Sequence, residues 1–296
     1  MPAIPAKTAK NALTKRLLIT NHKIMVTASR TIGEILRFLE ARAPLGTAEE
    51  WDNVGLLAGD VSTPTTGAVI SIDLTEEAVQ AAIQKKYNLI LTHHPCIFPK
   101  SRGLNKLVSG TPLYSAIRNG ISVGAWHTNF DRCALEVVQK VSMGLGIKPK
   151  GRLIENPKDS TELMKSEGLG YGFWGDFPQS KPFSDLSEDV KNLFGIHGFW
   201  ITSPVPSHVS RVGFVAGKGA SFVEAAASLD CDLLITGEAG YHTALGGARL
   251  GLAVMELGHR ESEKFFIETM KDWLSQIGLE CSVISTPTQN IWLGGP

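Results

Sequence analysis

The chain has 296 residues, with 29 basic and 29 acidic side chains, 43% of residues apolar and 20% charged. That composition excludes a disordered chain, and at ~100–200 residues per domain the length allows one large domain or two closely joined halves. No apolar run approaches the ~20 residues of a membrane helix, and zero net charge argues against a charge-driven nucleic-acid binder.

Residues 1–33 carry six basic side chains and no acid, so the remainder is net acidic. This leader, over 1–30, reads as a disordered, solvated tail or as sequence upstream of a start at Met25, ahead of a cytoplasmic protein. The alternative is a mitochondrial transit peptide, which shares its basic, acid-free composition. Ile32, Ile35, Leu36 and Leu39 then recur at helical spacing behind Thr31 as N-cap, predicting an amphipathic helix over 31–42.

From residue 67 strands and helices alternate. Strands are expected at 68–73, 88–92 and 121–126, with helices from Thr75 to about Lys86, near 111–119 and over 133–143. Residues 144–170, rich in Gly, Pro and Lys, read as linker, the core of it 149–170. Strands at 170–177, 199–205, 211–217, 231–236, 252–257 and 280–286 follow, interleaved with helices near 184–194, 219–229, 240–250 and 260–277. Alternation with apolar, two-faced strands predicts an α/β fold of mostly parallel sheets, divided into a first half over 31–148 and a second over 171–296.

An offset of 144 positions lays Val79, Ala81, Ala82 and 88–92 onto Val223, Ala225, Ala226 and 232–236. With a gap, 120–127 then resembles 251–259. Each half reads strand, helix, strand ending in Thr, polar cluster, helix, strand ending in His, which predicts two related halves around a shared cleft.

Four stretches concentrate the polar chemistry: THHP (92–95), WHTNFD (126–131), TGEAGYH (236–242) and GHRESE (258–263). Each follows an apolar strand, and in open α/β sheets ligands bind outside the carboxyl ends of strands. Imidazoles and carboxylates suit zinc, iron, manganese, nickel or copper. His93, His94, His259, Asp131 and Glu263 are too many ligands for one zinc ion with an open position, and they suit two ions ~3.5–4 Å apart. His259 and Glu263, at i and i+4, share one helix face. His127 then stands beside the ions or acts as general acid/base, with His242 and Glu238 lining the mouth. Cys96 and Cys133 lie near these clusters, so a cysteine nucleophile is conceivable, although small buried thiols are the commoner case. The four cysteines are far apart with no CxxC pair, which fits a reducing compartment.

Each residue alone has an ordinary structural reading. HHP makes a rigid turn, GHRESE makes a helix start, Asp131 makes an N-cap, and Trp51-Asp52-Asn53-Val54-Gly55 makes a turn with an aromatic anchor. It is their joint placement at strand ends, in repeat-related positions, that favours a site. GKGASF (217–222) matches neither GxGxxG nor GxxxxGK[ST], so it supports no nucleotide claim.

Taken together, 51–60, 72–98, 126–131, 235–242 and 258–263 resemble the motifs of the NIF-three-like proteins, also called GTP cyclohydrolase I type 2 homologues. The resemblance runs from about residue 30 to the end, in the short form without an inserted domain. It implies an α/β fold of two related halves, a dinuclear metal centre between them and a toroidal homohexamer. Carried over by position, it implies His93, His94, Asp131, His259 and Glu263 as ligands to two divalent ions (zinc, iron, manganese or nickel), with Glu263 as the bridge. Arg260 stands where the family often has an aromatic residue or His, and Glu238 replaces the Asp of its TGD-type motif.

The function expected is a metal-dependent hydrolase of a nucleotide, a cyclic amidine or amide, or a phosphate ester. Water between two divalent ions loses a proton near neutral pH, which supplies the nucleophile. His127 would shuttle the proton and Arg260 would meet an anionic group of a small-molecule substrate. The alternative is a non-catalytic metal-binding interaction protein or metal chaperone.

Overall fold

A computed structural model of the chain describes residues 30–97, 110–155 and 169–285, so the leader, apart from Arg30, lies outside the described residues. Helix α1 (Ile32–Glu40) starts as predicted: Thr31 and Glu34 close a reciprocal capping box, and Ile32, Ile35 and Leu39 are its buried face. Strand β1 (Gly55–Ala58) lies where the sequence suggests only a turn and its anchor. It is followed by β2 (Ala68–Ser71), α2 (Glu76–Lys85), β3 (Leu89–Thr92), α3 (Pro112–Arg118) and β4 (Ser122–Ala125). β2, β3 and β4 are buried at every position, as strands covered on both faces must be. The helix expected over 133–143 is two, α4 (Thr128–Cys133) and α5 (Leu135–Leu145), which meet at Ala134.

The stretch read as a linker contains β5 (Lys148–Gly151), β6 (Ile154–Glu155) and β7 (Gly170–Tyr171). β5 has the sequence Lys-Pro-Lys-Gly and lies largely exposed at a sheet edge, so it carries no apolar alternation to read. The chain continues through β8 (Phe173–Pro182), α6 (Phe183–Phe194), β9 (Trp200–Ile201), β10 (His208–Lys218), α7 (Val223–Ser228) and β11 (Leu233–Glu238). It ends with α8 (Tyr241–Arg249), β12 (Ala253–Glu256), α9 (His259–Ser262), α10 (Phe265–Ser275) and β13 (Cys281–Ile284).

Two sheets carry this α/β fold, in the orders β1-β4-β3-β2-β13 and β5-β8-β10-β11-β12-β9, while β6 pairs with β7 apart from them. In the first sheet only β1 runs antiparallel to its neighbour. The second is mixed rather than mostly parallel: β10, β11 and β12 are parallel, whereas β5, β8 and β9 pair antiparallel. β1-β4-β3-β2 and β9-β12-β11-β10 share one order, an antiparallel strand beside three parallel ones.

The sequence boundaries of 31–148 and 171–296 do not coincide with the sheets. Helix α10 packs on the first sheet, where Phe266, Met270 and Trp273 share a core with Ile35, Leu39 and Leu91. β13 then pairs in parallel with β2, covering an edge that would otherwise present unpaired backbone groups. In the opposite direction, α5 buries Val141 and Leu145 against Phe214 and Leu233 of the second sheet, and β5 joins β8. Each sheet thus receives a helix and a strand from the other part of the chain, and α5 and α10 bring the two sheets' strand ends together. Among the described residues no helix is long and apolar enough to cross a membrane.

Candidate metal centre

His93 and His94 leave the end of β3 on a sharp bend, their backbone N–H groups both donating to the Ile72 carbonyl at 3.1 and 2.9 Å. Because the bend lies just past the strand, the two rings do not point to opposite faces; their centroids are 5.1 Å apart. Helix α4 follows His127 and carries Asp131 on its first turn, so Asp131 is no N-cap. Helix α9 starts at His259 and ends just before Glu263, which closes it as C-cap. Gly217 at the end of β10 admits Glu263: its φ is +66°, and a Cβ there would lie 2.5 Å from Glu263 Oε1.

Three imidazoles face the buried Glu263 carboxylate. Oε1 lies 3.1 Å from His259 Nε2 and 3.5 Å from His93 Nε2, and Oε2 lies 3.2 Å from His94 Nε2. Asp131 Oδ1 is 3.6 Å from His93 Nε2. Donors bound to one ion at ~2.0–2.2 Å, with tetrahedral or octahedral angles, stand roughly 3.0–3.6 Å apart, so these separations are those of neighbouring ligands. The far nitrogen of each ring has its own partner: Trp126 O at 2.9 Å for His93, Asp73 Oδ1 at 2.8 Å for His94, and Glu238 Oε1 at 3.3 Å for His259. A carbonyl can only accept, so His93 Nδ1 carries the hydrogen and the neutral ring presents a lone pair at Nε2. Outer partners of this kind orient metal-binding imidazoles. His93 Nε2 and Glu263 Oε2 are buried without a hydrogen bond, and a bound cation would satisfy both. Among the described residues, two donor groups have ligand atoms within 4.8 Å of one another and could hold a metal ion: His94, His259 and Glu263, and His93, His94 and His127. The residues therefore fit a metal site.

Electrostatics agree with the geometry. Burial alone would raise the Glu263 carboxyl, but the three imidazoles outweigh it and hold it well below the usual carboxylate range. Burial opposes charge on His94 too, yet Asp73 and Glu263 prevail and raise it to about 10. Asp131 goes the other way: burial outweighs His93 and His127 and pushes its carboxyl up. Binding an ion here displaces protons from the imidazoles.

The cluster lines a cleft of about 1020 Å³, walled by α4 and α5 on one side and by β7, β8 and β10 on the other. His93, His94, His127, Asp131, His259 and Glu263 all line it. Glu238 stands behind His259 and is half-exposed, whereas His242 is exposed on α8 with its ring against Tyr241. Arg260 acts electrostatically on Asp73. Cys96 is not among the residues lining the cleft, and burial pushes its thiol up to about 11, which disfavours the thiolate. Cys133 is buried with Sγ 3.4 Å from Thr47 Oγ1.

Two residues of this site escaped the sequence reading. Asp52 holds His127 Nδ1 at 3.0 Å and also accepts from the backbone N–H of Thr128 at 3.1 Å and of Asn53 at 2.8 Å. Asp73 holds His94. Burial raises Asp52, but its bonds from His127 and Thr128 lower it further, to about 2. The signal for Asp73 was present, since it lies just past a buried strand, as the four polar stretches do. Asp52 precedes its strand and carried no such signal.

The family model Duf34/NIF3 (NGG1p interacting factor 3) matches residues 30–290. A GTP cyclohydrolase 1 type 2 homolog of Clostridium acetobutylicum is 28% identical over 79% of this chain and 86% of its own length. The Protein NIF3 homolog of Schizosaccharomyces pombe is 30% identical over 75% of this chain and 80% of its own. In fold, the chain is similar to a Bacillus cereus protein related to NIF3, with a TM-score of 0.77, 18% identity, and coverage of 91% of this chain and 100% of that one. With its motifs, its fold and all its described residues inside the match, the chain belongs to the Duf34/NIF3 family.

Proposed function

We propose that this protein is a metal-dependent hydrolase with a dinuclear centre, acting on a nucleotide, a cyclic amidine or amide, or a phosphate ester. The observation that supports this reading is the convergence of three imidazole Nε2 atoms on one buried carboxylate, each ring already held from behind. His93, His94, Asp131, His259 and Glu263 would hold two divalent ions. Ions bound there acidify water and polarise a carbonyl or phosphoryl oxygen.

The chain's own residues supply the rest. Asp52 accepts a hydrogen bond from His127 Nδ1, which leaves Nε2 to take a proton and return it to a leaving group. Trp51 sets its ring at 72° to His127, with centroids 6.0 Å apart, and shields that side of the imidazole. Arg260 stays in the reading as the contact for an anionic substituent. A non-catalytic metal-binding interaction protein is the competing reading, supported by the family's description as an interacting factor. The reading also includes a cytoplasmic setting, supported by four cysteines of which none is in a disulfide, and the homohexamer that the family resemblance implies.

Elemental analysis of the purified protein, beside Asp131→Ala and Glu263→Ala, tests this directly, with candidate substrates assayed on the same samples. About two transition metals per chain, lost with turnover in both variants, is the expected result. Folded, metal-free protein from metal-replete cells would overturn it. Two metals with no turnover on any substrate class would favour the interaction protein, and light scattering that gave a monomer would remove the hexamer.

A further inference from the structure

The turn ahead of β1 brings two further side chains to the cleft. Asp52 donates its backbone N–H to the Glu49 carbonyl at 2.9 Å, which closes a turn over 49–52 and holds its ends within about 7 Å. Both ends are pinned to the start of α4: the Glu49 N–H donates to Thr128 Oγ1 at 3.0 Å, and Asp52 holds His127. Glu49 and Trp51 line the same cleft as the imidazoles. Trp51 is 51% exposed, so half of a large apolar ring is open to a ligand. Its centroid lies 6.0 Å from that of His127, whose ring is in turn 5.2 Å from His93 and 5.4 Å from His94. A planar group laid on Trp51 therefore stands one side chain away from the ion ligands.

Glu49 has the form of a held acceptor. Its Oε1 accepts from Tyr171 Oη at 2.8 Å and from Arg132 Nη2. A carboxylate that served only to neutralise a buried guanidinium would gain most from a two-bond fork. Arg132 instead gives Nη1 to the Thr47 carbonyl at 2.9 Å and only Nη2 to Glu49. Among the described residues Oε2 has no partner, and the side chain is 32% exposed. The geometry points to a recognition site for a planar cyclic amide or amidine, whose ring stacks on Trp51 while a ring N–H donates to Glu49 Oε2. An anionic phosphate is disfavoured beside that carboxylate, because like charges repel. The inference rests on the hydrolase reading for the reaction and on these two side chains for the binding. Of the substrate classes named above, it selects cyclic amides, amidines and the bases of nucleotides over simple phosphate esters.

Isothermal titration of the metal-loaded protein with 2-quinolone and with 1-methyl-2-quinolone tests it, because the two planar cyclic amides differ only in the hydrogen on the ring nitrogen. The N–H compound should bind at least about tenfold tighter, as a hydrogen bond to a charged group provides. Glu49→Gln should erase that preference. Arg132 and Tyr171 both donate, so they hold the amide oxygen and leave the NH2 group, a second donor, where Oε2 stood. Trp51→Ala, at a half-exposed position, should weaken both probes alike, by at least about fivefold, and decides the matter beside the wild type if Glu49→Gln does not fold. No measurable binding, equal affinities for the two probes, a preference that survives Glu49→Gln, or unchanged binding in Trp51→Ala would each overturn the proposal. A preference found in protein that never holds metal would support the recognition site and sink the dinuclear reading. Two bound metals with turnover and no preference would do the reverse.

Discussion

Asp52 accepts a hydrogen bond from His127 Nδ1 at 3.0 Å, tying the turn ahead of β1 to the imidazole at the start of α4. The same carboxylate accepts from Thr128 through its backbone and its hydroxyl, so one buried anion sets both the ring and the first turn of the helix that carries Asp131. A negative charge near that helix start is also favoured by the helix dipole.

Asp52→Asn tests the energetic side of that arrangement. The carboxyl titrates at about 2 against an ordinary 3.8, a depressed value, so its contribution is full above the unfolded value and is lost as pH falls through 2. The variant should be less stable than the wild type by about 2 kcal/mol at pH 7. The gap should begin to close near pH 4 and largely vanish by pH 2. Denaturant melts of both proteins across that range measure it, and a gap independent of pH would show that shape, not charge, makes the contribution.

Glu263→Ala removes the carboxylate that three imidazoles face. We expect the roughly two metals bound per chain to be lost. Chelator should lower the Tm of the wild type by several degrees and leave that of the variant unchanged, since ligands that bind only the folded state stabilise it. Differential scanning calorimetry with and without chelator reads both effects.

Gly217→Ala should disturb the same carboxylate from the opposite side. Its Cβ would lie 2.5 Å from Glu263 Oε1 at a φ of +66°. Gly195, at the end of α6, has a φ of +68°, and a Cβ added there would meet nothing within 4 Å, so Gly195→Ala has the backbone strain without the clash. Gly195→Ala should lose about 1 kcal/mol from the backbone alone, Gly217→Ala should lose more, and only Gly217→Ala should lose metal. Metal loss in both would assign the effect to general destabilisation.

Met270→Ala probes the exchange between the two parts of the chain. Met270 is fully buried in the core that α10 shares with α1 and the first sheet. A loss of about 2–5 kcal/mol is expected, as for other large-to-small core substitutions. Urea melts followed by circular dichroism should show a single transition at lower denaturant, because α10 joins both sheets. Two separated transitions would mean that the sheets unfold independently.

Much of the site was legible because its residues obey a local rule. His93, His94 and His259 follow runs of buried apolar residues, and the end of a buried strand is where a polar side chain can meet a ligand. His259 and Glu263 are also local, four residues apart, with Nε2 and Oε1 separated by 3.1 Å. Asp52 was read as part of a turn because its partner, His127, is 75 positions away. The exposed β5 offered no apolar alternation at all.

The sequence by itself determined the buried strands, the capped helix at Thr31 and the set of imidazoles and carboxylates at strand ends, since each depends on periodicity or spacing within a few residues. Only the tertiary structure decided that α10 and β13 complete the first sheet while α5 and β5 complete the second. It also decided that Asp52 and Asp73 orient two of the imidazoles. Edge pairing, helix docking and carboxylate–imidazole contacts between distant segments are set by which surfaces remain uncovered once the local elements have formed, and no short stretch of sequence encodes that.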